Sequence, residues 1–414
     1  MGEVTIAGGG IIGLSTAYYL RQQGYEVTIV ERGDITDGCS FGNMGYISPS
    51  HFVPLASPGI ISEGLRHMLS SRSPFYIKPR LDADLIRWAY HFMRNSNQKN
   101  VTENAPNLNN ILRLSRELMD DLKFDLGDVF DLEEKGCLMM CKSEDTLQHE
   151  FELAAQAEKF GLRVVCLQRN EVQDLEKNVE TDVAGAVLFK DDCHFNPGKL
   201  MVALKELLIG KNVKFLTHTT ITGMETRNEE VTALLTDKGK IEIKELVIAT
   251  GSWIPALTAM LHQKLLLQPG KGYSYTYDFV QNNISYPAIL VDGRCAITPW
   301  KNQLRIGGTM ELSGINNKIL GARMEGIYRS VKNFYPGLQI SQPPADGIWS
   351  GLRPVTPDGL PYIGRMKKFT NVVVAGGHAM LGVSQATGTG KLVSQLIGHH
   401  TTAINMKAFR LDRF

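Results

Sequence analysis

Cysteine is scarce in this chain: six residues (Cys39, Cys137, Cys141, Cys166, Cys193 and Cys295) in 414, scattered and without C-x-x-C spacing. That excludes a disulfide scaffold and reads as a reducing, cytoplasmic compartment. Cys137 and Cys141 have the spacing to share a helix face. With no His or second Cys pair beside them, they read as buried free thiols, and no metal site is expected. Charge of one sign is missing as well. Lys+Arg (44) and Asp+Glu (43) leave a formal +1, no basic field of the kind a nucleic-acid binder relies on. Also lacking is a run of about 18 apolar residues, the length a membrane-spanning helix needs. The nearest, Leu246 to Leu261, is broken by Gly251, Ser252 and Pro255. The first apolar stretch starts at Val4 with no basic segment ahead of it, so no secretory leader is expected.

What is present is ordinary globular composition, 43% hydrophobic and 21% charged, on a length that suggests roughly two to three domains. Glycine stands out at 40 residues, and its clusters carry the first motif. Val4 to Ala7 reads as a short buried strand. It runs into Gly8-Gly9-Gly10-Ile11-Ile12-Gly13, a match to G-x-G-x-x-G, and then into a helix with Leu14, Ala17, Tyr18 and Leu20 at helical spacing. A second strand, Val27 to Val30, ends in Glu31. Each part has a physical task. Gly8 permits the tight turn, Gly10 lets backbone approach a pyrophosphate, and Gly13 lets helix and strand pack closely. The anion sits at the helix N-terminus, against the amides around Ile11 and Ile12. Glu31 can accept both adenosine ribose hydroxyls and repels a 2′-phosphate. A dinucleotide other than NADP is therefore expected.

Two later segments return to that sheet. Leu246 to Ala249 reads as a buried strand ending in Ala249-Thr250-Gly251, and Asn371 to Gly377 is another that turns on glycines before His378. The helix predicted from about Val383 to Leu396 carries Gly388 and Gly390, which allow close packing, and its N-terminus can stabilise charge on a reduced flavin. Elsewhere, residues 80–125 look helical. Asn196-Pro197-Gly198 reads as a helix start, with Asn196 as N-cap and Pro197 at N1. Val213 to Leu216 and Val231 to Thr236 are strand-like, and Tyr273, Tyr275 and Tyr277 alternate as in an antiparallel sheet.

With the fingerprint, Ser40-Phe41-Gly42-Asn43-Met44-Gly45-Tyr46-Ile47-Ser48-Pro49, Pro58-Gly59, Lys271-Gly272-Tyr273-Ser274, Gly351-Leu352-Arg353-Pro354 and the closing Gly377-His378 and Leu381-Gly382, the chain resembles the D-amino-acid-oxidase superfamily of flavoproteins. Its bacterial D-amino-acid dehydrogenase branch is the nearest likeness. The resemblance runs nearly end to end. It implies an α/β (α+β overall) fold: a glutathione-reductase-like, Rossmann-type FAD domain interleaved with an antiparallel-sheet substrate domain. The expected boundaries are 1–75, 160–262 and 346–414 for the FAD part, and 76–159 with 263–345 for the substrate part.

The resemblance implies oxidation of a D-amino acid to a 2-oxo acid and ammonia, a hydride leaving the α-carbon for flavin N5 and electrons passing to a quinone or other carrier. Glycine or sarcosine oxidation and D-proline or hydroxyproline dehydrogenation are the alternatives within the class. A non-catalytic flavoprotein subunit is the alternative outside it. Arg353 matches the family's carboxylate-binding arginine, and a guanidinium suits that task because it can grip a carboxylate with two parallel hydrogen bonds. Lys271 and Tyr273 match a segment near flavin and substrate and have either a site or a structural role. His378 either faces the pocket or hydrogen-bonds its own turn. Cofactor contacts are expected from Gly8, Gly10, Ile11, Ile12, Gly13, Glu31, Arg32, Ser40, Asn43, Met44, Gly45, Thr250, Gly251, Gly377, Gly382, Val383 and Ser384. Met44 stands where the family has a smaller residue, and Val383-Ser384 where it has a bulkier aromatic pair. The Arg353 segment holds no Cys, so FAD is expected to be non-covalent. Finally, Leu55 to Arg80, with Leu65, Met68 and Leu69 among Arg66, Arg72, Lys78 and Arg80, reads either as a solvated element packed on the sheet or as a peripheral contact on the inner face of the cell membrane.

Overall fold

A computed structural model describes residues 2–36, 38–62 and 74–414. Its organising element is a six-stranded sheet in the order Tyr362–Arg365, Val372–Gly376, Glu245–Ile248, Glu3–Ala7, Glu26–Val30, Lys214–Leu216. All pairs are parallel except the outermost, Tyr362–Arg365 against Val372–Gly376. The inner strands are buried on both faces, which is why Val-Thr-Ile and Leu-Val-Ile run without polar alternation. The fingerprint helix, Ile11–Gln22, packs on one side together with Ala386–Ile397 and Gln98–Leu126 in one apolar core. Glycines permit that contact. A Cβ at Gly390 would lie 2.6 Å from the Ser15 backbone, and one at Gly388 would lie 2.5 Å from the Ser115 hydroxyl.

The second large sheet has nine strands. Its main path is Trp349–Val355, Gln268–Tyr277, Gln303–Leu312, Cys295–Trp300, Ala288–Leu290, Cys137–Cys141, Gly185–Phe189, Val164–Gln168, and Phe75–Ile77 adds alongside Gln303–Leu312. One face is apolar and packs on the helix Gly321–Phe334 through Ile297, Leu304, Ile306, Met324, Ile327 and Val331. A third, three-stranded antiparallel sheet (Ile221–Arg227, Glu230–Thr236, Gly239–Glu242) sits against the parallel sheet through Val231 and Leu234.

The chain crosses between sheets at places other than those expected from sequence. Val164–Gln168 and Gly185–Phe189 pair within the nine-stranded sheet, as does Trp349–Val355, whereas the boundaries 160 and 346 assigned them to the FAD part. Gln98–Leu126 packs beside the fingerprint helix rather than on the substrate sheet. Hydrophobic period identifies a strand or a helix, but not the partner that covers its apolar side. Cys137 and Cys141 lie on a strand, not a helix. Four strand residues span about 13 Å, too far to share a metal ion, and both thiols are buried. The helix start at Asn196 is as expected: its side chain accepts from the Lys199 amide at 3.2 Å, with Pro197 in the first turn.

Candidate active site

The nucleotide end lies at the carboxyl ends of the parallel strands. Gly8 has φ +107°, and a Cβ there would lie 2.6 Å from the Ala249 carbonyl oxygen; one at Gly13 would lie 2.0 Å from the Gly8 carbonyl oxygen. Gly8 is glycine because its φ is positive and the end of the neighbouring strand abuts it, and Gly13 because the helix touches the turn. Gly10 is different. Among the described residues a Cβ there would meet only the Ser40 hydroxyl, at 3.6 Å, so their packing does not account for it. The space in front of it is the approach a pyrophosphate needs. The helix behind it has no acidic residue in its first turn, and the Ile11 amide donates to the Ser40 hydroxyl at 3.1 Å. The Glu31 carboxylate is fixed at the rim of the turn, accepting from the Gly9 amide at 2.7 Å and the Gly33 amide at 2.8 Å. The Arg32 guanidinium stacks on Trp253 at 3.9 Å.

Two buried polar groups at the same end of the sheet have no hydrogen-bond partner among the described residues: the Thr250 hydroxyl and the whole carboxamide of Gln385. An unsatisfied buried group costs about 1–3 kcal/mol, and a bound partner removes that penalty. Together with the open cradle at Gly10, they fit a dinucleotide. Gln385, which precedes the helix Ala386–Ile397, was not anticipated; a glutamine at the start of an otherwise apolar and small-residue helix is the signal that marks it.

The segment from Ser40 to Ile47 links the two sheets. Asn43 accepts from the Gly45 amide at 2.8 Å. The Met44 carbonyl accepts from the Thr298 hydroxyl at 2.8 Å, and its sulfur lies 2.6 Å from where a Gly307 Cβ would be. Ser384 donates to the Tyr46 carbonyl at 2.6 Å, joining the C-terminal turn to this segment. Val383 is buried in the nucleotide core, and Gly377 takes φ +85°. His378 is buried with Nε2 2.9 Å from the Thr389 hydroxyl, and burial pushes its pKa down to about 3. It is a neutral brace between its turn and the helix that follows.

The face of the nine-stranded sheet opposite its apolar core carries the arginine. Arg353 pairs in register with Gly270, and Gly351 with Gly272, so all four share one face. A Cβ at Gly272 would lie 2.2 Å from the guanidinium atoms; the side chain lies flat over a glycine floor. Beside it the register slips between Lys271 and Tyr273, and Thr309 adopts φ +71°. That bulge aims the Thr309 carbonyl at Arg353, which donates to it. Among the described residues no carboxylate pairs with Arg353. Burial pulls its pKa below the usual guanidinium value, and the Cys39 thiol opposes that shift. The sequence has no Cys near Arg353 along the chain, yet the fold brings Cys39 to it.

Lys271 and Tyr273 point the other way. Tyr273 donates to Glu311 at 2.7 Å, Lys271 pairs with the same carboxylate at 3.6 Å, and Arg323 approaches it at 3.3 Å. All are buried on the core face. Strand alternation therefore separates them from Arg353, and their part is structural. Arg305, which sequence reasoning missed, shares the face of Arg353. It donates to the Thr276 hydroxyl at 2.9 Å and to the carbonyls of Phe41 at 3.3 Å and Asn43 at 2.5 Å. Burial lowers its pKa to about 10. A lone arginine inside Leu304-Arg305-Ile306 is the signal it offers.

Of the apolar–basic stretch from Leu55 to Arg80, Leu65, Arg66, Met68, Leu69 and Arg72 lie outside the described residues. Arg80 is tied to the sheet, bonding Asp82 at 2.9 Å and Gln268 at 2.8 Å. Among the described residues no helix is long and apolar enough to cross a membrane.

Residues 3–396 match the family of FAD dependent oxidoreductases called DAO. The chain belongs to this family. A "D-amino acid dehydrogenase" from Granulibacter bethesdensis is 30% identical over 100% of this chain and 99% of its own length. In fold, the chain is similar to glycine oxidase from Geobacillus kaustophilus (TM-score 0.80, 22% identity, 100% of both chains) and to L-proline dehydrogenase from P. horikoshii (TM-score 0.78, 19% identity, 100% of this chain and 97% of that one). As a DAO-family member the protein is an FAD-dependent oxidoreductase, and the glycine cradle and orphaned polar groups described above suit its cofactor.

Proposed function

We propose that this oxidoreductase converts a D-amino acid to the 2-oxo acid and ammonia and passes the electrons to a quinone or another carrier rather than to oxygen. One observation carries the amino-acid claim. Arg353 is a half-buried guanidinium lying on glycine, with no carboxylate beside it among the described residues. Such a charge is costly to bury alone, and a substrate carboxylate supplies the missing partner in the bidentate geometry a guanidinium prefers. The D configuration and the dehydrogenase branch are supported by the name of the Granulibacter relative.

Bound FAD supplies the two-electron acceptor for the α-carbon C–H bond. Gly8, Gly10, Ile11, Ile12 and Gly13 would hold its pyrophosphate, with Glu31 and Arg32 at the adenosine end. Ser40, Asn43, Met44, Gly45, Thr250, Gly251, Gly377, Gly382, Val383 and Ser384 would line the rest, with Gln385 added. The remaining work of the chain is orientation and exclusion of water. Gly272 gives the Arg353 guanidinium its seat, and the Met310 sulfur fills the space over Gly270 beside it. Trp349 closes one side, its ring lying against Gly42 and Gly351. Once the amine is neutral, orientation is the chief demand on the protein, and His378, spent on Thr389, is not needed as a base. Burial raises the Cys39 thiol despite Arg353, which keeps it protonated and unreactive and supports a non-covalent cofactor.

Turnover of a D-amino acid with a soluble quinone or dye is expected to yield 2-oxo acid and ammonia in equal amounts, with little hydrogen peroxide in air. Peroxide formed as fast as the dye is reduced would make the enzyme an oxidase instead.

A further inference from the structure

The segment that leaves the cofactor edge continues across the face that carries Arg353. Register links Val187, Met139, Ile289, Ala296, Gly307 and Ser274 on one face, and strand alternation extends it through Gly272 to Gly270, the partner of Arg353. Met44 lies on Gly307, Phe52 packs with Val187 and Met139, and Leu55 meets Gly359 close beyond Arg353. His51 stands between these points. Its ring is surrounded by protein yet partly accessible, as a residue lining a crevice is.

Behind His51 runs a hydrogen-bonded chain. The Ser50 hydroxyl is 3.0 Å from His51 Nδ1 and donates to Asp192 Oδ2 at 2.6 Å, while the Ser50 amide donates to Asp192 Oδ1 at 3.1 Å. A hydroxyl has one proton to give. An ionised carboxylate only accepts, so the Ser50 proton goes to Asp192, and His51 must donate Nδ1–H to the Ser50 oxygen. Its Nε2 then carries a lone pair. If Asp192 takes up a proton, every donor reverses: the carboxyl donates to Ser50, Ser50 donates to Nδ1, and Nε2 becomes an N–H donor.

We propose that Ser50 and Asp192 are positioning residues that set the tautomer of His51, so that its Nε2 accepts a hydrogen bond from the amino group of the bound amino acid. The amino group is the donor that every amino acid carries, and a neutral imidazole with Nε2 bare is the acceptor it needs. This rests on the reading of the Arg353 face as the substrate pocket. The groups facing Asp192 are the Ser48 and Ser50 hydroxyls, the neighbouring Asp191 and the thiols of Cys137 and Cys193. Burial outweighs the hydroxyls and raises Asp192 to about 7, and burial lowers His51 to about 4. The imidazole therefore stays neutral while the carboxyl titrates, and the tautomer rather than the charge of His51 follows pH.

The test reads the ring directly. In protein labelled with ¹⁵N-histidine, the His51 signals are assigned by their loss in His51→Gln, without substrate. The expected result is the Nδ1–H tautomer above pH 7 and the Nε2–H tautomer below it. Asp192→Asn should fix the Nε2–H form at all pH values, Ser50→Ala should uncouple the ring from pH, and Ser50→Thr should restore coupling. The companion readout is kcat/KM against pH. Asp192→Asn should lower it roughly 2- to 10-fold above pH 7, the range for a lost hydrogen bond between neutral groups, and should remove the inflection near pH 7. One unchanging tautomer in the wild-type protein overturns the relay whatever the substrate is. A switching tautomer with an unaffected pH profile overturns the contact with substrate and leaves the Arg353 reading intact.

Discussion

Arg353→Ala is expected to lower kcat/KM for an amino acid by roughly 30- to 5,000-fold with FAD content unchanged. The range follows from a loss of about 2–5 kcal/mol when one member of a buried, hydrogen-bonded charge pair is removed, at about 1.4 kcal/mol per decade. The structure narrows what else the substitution disturbs. Among the described residues Arg353 makes one hydrogen bond, to the Thr309 carbonyl, and lies on Gly272 rather than within an ion pair. Its removal therefore leaves a space but no stranded carboxylate. Arg353→Lys should recover part of the loss, since an ammonium neutralises charge but cannot form the planar two-point grip. An amine that lacks the carboxylate should gain relative to the amino acid. Equal losses for amine and amino acid, with FAD retained, would mean that the clamp lies elsewhere. Arg305, the other guanidinium of that face, is the next residue to replace; Lys271 and Tyr273 are spent on Glu311 across the sheet.

Gly10→Val should give a folded, colourless protein. The added side chain enters the space before the fingerprint helix, where the nearest protein atom to its Cβ is the Ser40 hydroxyl at 3.6 Å. Folding has little to lose there, while the pyrophosphate loses its approach to the backbone. Gly13→Val is the control. Its Cβ would lie 2.0 Å from the Gly8 carbonyl oxygen, a clash of backbone with side chain that the strand–helix contact cannot absorb, so loss of fold is expected. Visible absorbance and cooperative thermal unfolding, measured on both variants, separate the two effects. Yellow Gly10→Val protein with undiminished FAD affinity would contradict the role given to the glycine turn.

The nucleotide half was legible because its signals are local. A strand, three spaced glycines, a helix and Glu31 occupy the first 31 residues, and the returning strands announce themselves as continuous apolar runs ending in glycine. The Gly-Leu-Arg-Pro setting is what singled out Arg353 for the carboxylate role proposed above. Assignments that depend on partners were not legible. The alternation that makes Gln268–Tyr277 a strand says that Lys271 and Gly272 face opposite ways, but only pairing with Arg353 tells which side is the site. Val164–Gln168 reads as a strand in isolation, and its sheet is decided by Gly185–Phe189 beside it. Cys39 against Arg353, Arg305 bracing the Phe41 and Asn43 carbonyls, and Asp192 behind Ser50 are contacts between distant segments, without a spacing that sequence could reveal.

The central claim is that this FAD-dependent oxidoreductase recognises an amino acid by its carboxylate. The most direct test is anaerobic mixing of the yellow enzyme with a D-amino acid, its L enantiomer and the amine made by removing the carboxyl group, following loss of the oxidised flavin absorbance. The account predicts rapid bleaching by a D-amino acid and slow or absent bleaching by the amine. Bleaching by the amine as fast as by the amino acid, or by no member of a broad amino-acid panel, would contradict it.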